Sequence, residues 1–209
     1  MTLSLFPEQP LGPAAVVLRG FAVDSAPRLL SDIEAVAARA PFRHWITPGG
    51  FRMSAAMTNT GELGWVSEPK GYRYDPIDPQ SGEPWPPMPA SFLRLAAAAA
   101  ERAGFSAFVP DACLVNRYVP GAKLSLHQDR DERDLTQPIV SVSLGLPATF
   151  LWGGDTRAER PVRVPLEHGD VVVWGGPDRL RFHGVSPLAE GEHPLTGAHR
   201  INLTFRRAS

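Results

Sequence analysis

The chain has 209 residues, one cysteine, and 22 acidic against 21 basic side chains, for a net charge of -1. That length suits one domain, residues 1–209, with a sizeable core, and the lone Cys113 excludes an intrachain disulfide and fits a reducing compartment such as the cytoplasm. The balanced charge excludes the broad basic surplus of proteins that wrap duplex DNA, and leaves room for a local patch on a short strand.

In chain order, Met1 to Pro10 lacks a basic start followed by an apolar run, so no cleavable leader is expected. Ser25 to Ala40 is predicted as an amphipathic helix. Ser25 suits the N-cap, Pro27 the first turn, and Leu29, Leu30, Ile33, Val36 and Ala37 recur at helical spacing. Pro41 to Pro89 is rich in proline, glycine and aromatics, among them Trp45, Trp65, Tyr72, Tyr74 and Trp85. A long irregular segment inside a compact domain is usually functional, often a lid. Ser91 to Ala103 reads as a second helix with Gly104 just past its end. Its Ala96–Ala100 stretch is too short to span a membrane. From Asp111 onward short strands alternate with turns: Ala112 to Tyr118, Ile139 to Leu144, Thr149 to Trp152, Val162 to Leu166, Val171 to Trp174, Leu180 to Val185 and Arg200 to Phe205. Many short strands with Gly/Pro turns predict a sandwich or jelly roll backed by the two helices.

Two features carry chemistry. His127-Gln128-Asp129 places a histidine and a carboxylate two apart, which on a strand point the same way. With His183 in the strand-like Arg181 to Val185, they make the ligand set of non-haem Fe(II) oxygenases, two imidazoles and one carboxylate that leave one face of the metal open. By local sequence alone, a surface turn in the charged run 129–134 is the simpler reading of His127 and Asp129. The other histidines, His44, His168, His193 and His199, are not assigned to metal, and His168 is read as structural. The C-terminal strand alternates: Ile201, Leu203 and Phe205 face one side, Arg200, Asn202, Thr204 and Arg206 the other. Alone, that polar face would be solvated. Beside an iron triad, two guanidiniums suit an anion with two carboxylates, and 2-oxoglutarate is the dicarboxylate such iron sites use.

The runs Asp111 to Tyr118, Pro120 to Asp129, Pro138 to Gly145, His168 to Gly176, and the Arg200/Asn202/Arg206 spacing resemble the AlkB family of 2-oxoglutarate-dependent DNA dealkylases. So do Thr47 to Gly50, Met53 to Asn59, Leu63 to Trp65 and Pro76 to Gln80. The resemblance covers nearly the whole chain and departs at Trp152 to Pro165, near His199 and at Arg130.

That resemblance implies a mainly β fold with flanking helices (α+β), a double-stranded β-helix or jelly roll. A nucleotide-recognition lid would span residues 41–90 and a catalytic core residues 111–209. It implies Fe(II) on His127, Asp129 and His183, with 2-oxoglutarate and O2 as co-substrates. Asn116, Tyr118 and Arg200 would hold the distal carboxylate, with Asn202 and Arg206 flanking the end nearer the iron. The sequence itself leaves open which arginine takes which carboxylate. Trp65 would stack a flipped base opposite His127, with Met53 beside it, and Tyr72 and Thr47 would contact the phosphate backbone. Asp131 would approach the exocyclic amine and favour a cationic base. Without the resemblance, Trp65 and Tyr72 are as well read as core aromatics, and Asp131 as a solvated acid. The reading is oxidative demethylation of N1-methyladenine and N3-methylcytosine in single-stranded or locally flipped DNA, with RNA as a second polymer, in the cytoplasm, without membrane or obligate protein partner. The competing readings are an iron oxygenase acting on RNA, protein or a small molecule, and a non-catalytic cupin-like sensor.

Overall fold

The computed structural model describes residues 7–209. Met1–Phe6, part of the stretch read for a leader, lies outside them. The elements are β1 (Glu8–Gly12), β2 (Ala15–Leu18), α1 (Ala26–Arg39), β3 (Ala56–Gly61), β4 (Gly64–Glu68), β5 (Gly71–Asp75), α2 (Ala90–Arg102), β6 (Ala112–Tyr118), β7 (Leu124–His127), β8 (Ile139–Gly145), β9 (Ala148–Trp152), β10 (Val162–Leu166), β11 (Val171–Trp174), β12 (His183–Val185) and β13 (Arg200–Arg206). Two sheets form the body, in the strand orders β1-β2-β11-β8-β13-β6-β3 and β10-β9-β12-β7, and β4 and β5 make a separate hairpin. All these pairings are antiparallel. No helix among the described residues is long and apolar enough to cross a membrane.

Strand alternation sorts the side chains of the seven-stranded sheet between two faces. Cys113 and Val115 of β6, Val140, Val142 and Leu144 of β8, and Ile201, Leu203 and Phe205 of β13 pack with Leu29 and Ile33 of α1 and Phe92, Leu95 and Ala96 of α2. Each large side chain so buried contributes about 1.5–3 kcal/mol, which fixes the register and sends the partner residues inward. The opposite face therefore carries Leu114, Asn116, Tyr118, Ser141, Arg200, Asn202, Thr204 and Arg206 into one cavity between the sheets. At one end of the sandwich Val17, Ile139, Phe150, Trp152, Val164, Leu166, Val172 and Trp174 fill the space.

Several expectations are corrected. Pro41 to Pro89 is not irregular: it holds β3, which pairs with β6 as an edge of the large sheet, and the β4–β5 hairpin. β3 hid because Ala56 to Thr60 are all buried, so its sequence does not alternate. Gly61 ends it at φ +121, and a Cβ there would sit 2.3 Å from the Asp111 carbonyl oxygen, which only glycine avoids. The strand expected from Leu180 begins at His183, since Gly176–Asp178 forms a 3-10 turn and Arg181 N–H bonds back to Asp178 O. Ser25 occupies the N-cap position of α1, but its side chain caps nothing. β1 and β2 add to the strands read from sequence, and the strand that carries His127, β7, stops at that residue short of Asp129. Gly104 does close α2, at φ +88.

Candidate active site

His127 ends β7 and His183 begins β12, and the two residues are directly paired across those strands. Their rings lie 4.4 Å apart, centroid to centroid. Asp129 is two residues beyond the end of β7, so strand alternation does not aim it. Arg206 does: its Nε and Nη2 donate to Asp129 Oδ2 at 2.9 and 2.7 Å. Asp129 Oδ1 then lies 3.5 Å from His127 Nε2, and Oδ2 lies 3.8 Å from His183 Nε2. One ligand atom from each of the three residues falls within 4.8 Å of the others, a grouping of metal-ligand type.

The donor chemistry fits a divalent ion. Nδ1 of His127 sits 3.0 Å from the Ser125 carbonyl, and Nδ1 of His183 sits 3.0 Å from the Arg181 carbonyl. A carbonyl only accepts, so each Nδ1 carries a proton, and in the neutral ring that leaves Nε2 as the nitrogen that offers a lone pair to a metal. Burial, reinforced by His127, pushes the His183 imidazolium down to about 4, so the ring is neutral near pH 7. Burial alone would raise the Asp129 carboxyl, but Arg206 and the two imidazoles hold it well below the usual range. Two neutral imidazoles and a carboxylate are what a 2-His-1-carboxylate iron site requires. His168, by contrast, accepts the Gly145 N–H on Nδ1 at 3.0 Å and is structural.

Arg200 is the second feature. It is 1% exposed, donates from Nη2 to Ser143 Oγ at 2.9 Å, and lies with its Cζ 5.1 Å from the Tyr118 ring centre. Among the described residues its Nε and Nη1 have no partner, nor has Oδ1 of Asn116. A buried guanidinium with two idle nitrogens is costly unless an anion meets it, and a carboxylate is the matching group. Asn202 is already engaged: Nδ2 donates to Ser141 Oγ and Val142 O, and Oδ1 accepts from Thr204 Oγ1 at 2.9 Å. It orders the strand face beside the cavity.

The cavity, about 600 Å³, is lined by the triad, Arg200 and Arg206, and also by Thr47, Met53, Trp65, Tyr72 and Asp131. That volume suits a small-molecule site. Trp65 and Tyr72 from the β4–β5 hairpin stack at 5.1 Å with planes 21° apart, and Trp65 Nε1 donates to Asp131 Oδ2 at 3.2 Å. Thr47 closes its own turn, its N–H donating to Phe51 O and its Oγ1 accepting from Phe51 N–H at 3.1 Å. Arg43, paired with Asp78, anchors the base of the segment through Nη2 to Oδ2 at 2.6 Å.

Sequence reasoning missed Phe51, Arg52, Lys123 and Arg157, exposed residues that line the same cavity. Arg157 falls where the family resemblance breaks, and Lys123 sits inside a matching motif without a role; clustered basic residues near the triad were the available signal. It also missed Tyr74, Glu132 and Arg179, which stand behind the cavity wall.

The family model described as "2OG-Fe(II) oxygenase superfamily" matches residues 14–206. The chain is 59% identical over 201 residues to the alpha-ketoglutarate-dependent dioxygenase AlkB of Escherichia coli strain K12, covering 96% of this chain and 93% of that one. It is 34% identical over 133 residues to the nucleic acid dioxygenase ALKBH1 of Mus musculus, covering 62% of this chain and 34% of that one. Its fold is similar to the solved structure of OsALKBH1, with a TM-score of 0.84 and 30% identity over 96% of this chain and 100% of the other.

Proposed function

The chain belongs to the 2OG-Fe(II) oxygenase superfamily, within the AlkB family, and is an Fe(II)- and 2-oxoglutarate-dependent dioxygenase that demethylates nucleic acid; we propose that its substrates are N1-methyladenine and N3-methylcytosine in DNA, with RNA as a second polymer. The observation that carries this is the convergence in one cavity of the His127/Asp129/His183 cluster, the unpaired Arg200 edge, and the Trp65/Asp131 wall.

His127, Asp129 and His183 would hold the iron, which with 2-oxoglutarate and O2 supplies oxidation of a C–H bond as the co-substrate loses CO2 and becomes succinate. Arg200, with Tyr118 and Asn116, binds the distal carboxylate and so fixes the orientation of the co-substrate. Arg206 keeps Asp129 ionised and oriented, and its charge favours a second carboxylate near the metal. Asn202, by tying Ser141 to Thr204, keeps the intervening strand face rigid. On the substrate side, oxidation leaves a hydroxymethyl group on the base nitrogen. Its O–H proton is lost as the C–N bond breaks, releasing formaldehyde and the repaired base.

Within residues 41–90, the β4–β5 hairpin and the Thr47–Met53 turn act as the nucleotide-recognition lid, while β3 joins β1 and β2 in completing the sheet of the catalytic core at 111–209. Trp65, backed by Tyr72, offers a flat apolar face for a flipped base, with Met53 beside it. Asp131 faces the exocyclic amine, and its charge favours a base made cationic by methylation. Thr47, Tyr72, Arg52, Lys123 and Arg157 rim the opening and suit a phosphate backbone. A net charge of -1 supports short single-stranded or locally opened substrates over a wrapped duplex, handled without an obligate protein partner. The single free cysteine, buried Cys113, supports a cytoplasmic site of action.

The test is succinate and formaldehyde release with a methylated oligonucleotide, its unmethylated twin, and a methylated RNA. Equal release from methylated and unmethylated DNA would refute the substrate assignment.

A further inference from the structure

Behind the cavity wall lies a buried group of charges that neither the triad nor the co-substrate site accounts for. Glu132 is 7% exposed and Arg179 3%. Arg179 Nη2 meets Glu132 Oε2 at 3.1 Å, while its Nη1 donates to the backbone carbonyl of Asp129 at 2.6 Å and its Nε to Gln137 O at 2.9 Å. Glu132 Oε1 lies 3.3 Å from Arg206 Nε, the same nitrogen that donates to Asp129 Oδ2. The hydroxyl of Tyr74, from β5, donates to that Oε1 at 2.6 Å. Two acids and two guanidiniums are thus taken out of water together, which is tolerable only because each is paired.

We propose that Glu132 is a positioning residue for the metal centre. It holds Arg206 against the Asp129 carboxylate and Arg179 against the Asp129 backbone, and through Tyr74 it ties the β4–β5 hairpin to both. The inference rests on the reading of His127, Asp129 and His183 as metal ligands. Its content is electrostatic as well as steric. With Glu132 present, Asp129 meets two cations whose excess is cancelled. Without it, one uncompensated positive charge faces the site, which opposes a dication and favours an anionic ligand. The hairpin bearing Trp65 and Tyr72 is joined to the ligand loop twice, by Trp65 to Asp131 and by Tyr74 to Glu132.

The test titrates metal-free protein with Co(II), read by its visible absorption, then titrates the Co(II)-saturated protein with 2-oxoglutarate. Glu132→Gln keeps the shape and removes the charge. Its Co(II) affinity should fall by roughly 10–100-fold, as for other residues that orient metal ligands, while 2-oxoglutarate affinity holds or rises. Tyr74→Phe deletes one hydrogen bond from the same carboxylate, and should lower Co(II) affinity by about threefold, the low end of what such a bond contributes. Circular dichroism and a melting curve establish that each variant is folded. Folded Glu132→Gln with wild-type Co(II) affinity, or with Co(II) and 2-oxoglutarate affinities falling in step, overturns the proposal. If Glu132→Gln does not fold, unchanged Co(II) affinity in Tyr74→Phe overturns it alone. His183→Ala is the control: if it still binds Co(II) tightly, the ligand assignment fails instead.

Discussion

Trp65 Nε1 donates to Asp131 Oδ2 at 3.2 Å, so the aromatic platform and the acid beside it are held as one unit. The indole occupies Oδ2, and the proposed contact with an exocyclic amine would use Oδ1. Asp131→Asn keeps the shape and deletes the charge. It should slow repair of cationic N1-methyladenine and N3-methylcytosine more than of neutral N1-methylguanine. Trp65→Ala should cost roughly 1–3 kcal/mol of base binding, leaving 2-oxoglutarate affinity unchanged. The measurement is a set of repair rates on short single-stranded oligonucleotides, one lesion each. Equal slowing of charged and neutral lesions by Asp131→Asn would reduce that residue to a prop for Trp65.

The metal assignment makes a sharper demand. His127→Ala, Asp129→Ala and His183→Ala each remove one of three protein donors, so each should lose more than the roughly 10–100-fold in metal affinity that outer-shell changes cause. Iron stoichiometry after anaerobic loading and succinate release would be measured on the same samples. A variant that keeps both near wild type removes its residue from the triad. Asp129→Ala carries an added cost, since Arg206 loses the carboxylate its Nε and Nη2 share.

How much of this was legible in the sequence depends on range. The β13 alternation was readable because its apolar half packs on the helices and its polar half lines the cavity, so period two survives in the residue types. His127 and His183 were readable as a pair, yet Asp129 was placed on a strand it does not occupy. Arg206, 77 residues away, aims it, and no local pattern encodes that. β3 was lost because both of its faces are buried, and the hairpin because Gly64, Pro69 and Gly71 look like loop residues. The Tyr74–Glu132–Arg179 group spans three distant segments. Glu132 and Arg179 look like ordinary surface charges until the fold buries them, and Tyr74 like one more aromatic of a loop.

Acid should weaken the metal-free protein in a defined window. His183 has its folded value pushed down to about 4, against about 6.5 when unfolded, so the unfolded chain binds the proton more readily. Its contribution to stability is therefore fully present above about pH 6.5 and lost as the pH falls to about 4, by roughly 3 kcal/mol in all. Asp129, depressed well below its usual range, extends the loss to lower pH. Chemical denaturation of metal-free wild type and His183→Gln between pH 7.5 and 4 checks this (about half-unit steps suffice). A wild-type curve as flat as the variant's between about pH 6.5 and 4 would show that His183 is not the group that titrates.

Arg200 separates stability from binding, because the same side chain should harm one and create the other. Without a ligand its Nε and Nη1 are buried with no partner among the described residues, although Ser143 accepts from Nη2 and Tyr118 lies under the guanidinium. Burial lowers its proton affinity, with Tyr118 opposing that shift, the mark of a cation held where water is scarce. Arg200→Met, close in volume and apolar, removes the unpaired charge. In the absence of 2-oxoglutarate it should stabilise the protein by about 1 kcal/mol or more, about 2–4 °C per kcal/mol for a chain of this size. With Mn(II) present and 2-oxoglutarate at about 100 times its Kd, wild type should gain about 2.7 kcal/mol. Arg200→Met should gain almost none, and Arg200→Lys only part, since an ammonium cannot make the two-pronged bond. Melting curves of the three proteins with and without 2-oxoglutarate give both quantities. If Arg200→Met melts lower than wild type without ligand, the idle nitrogens are satisfied some other way. If it also keeps the full ligand-induced shift, the distal carboxylate is held elsewhere, with Arg206 the remaining cavity-lining arginine of the strand.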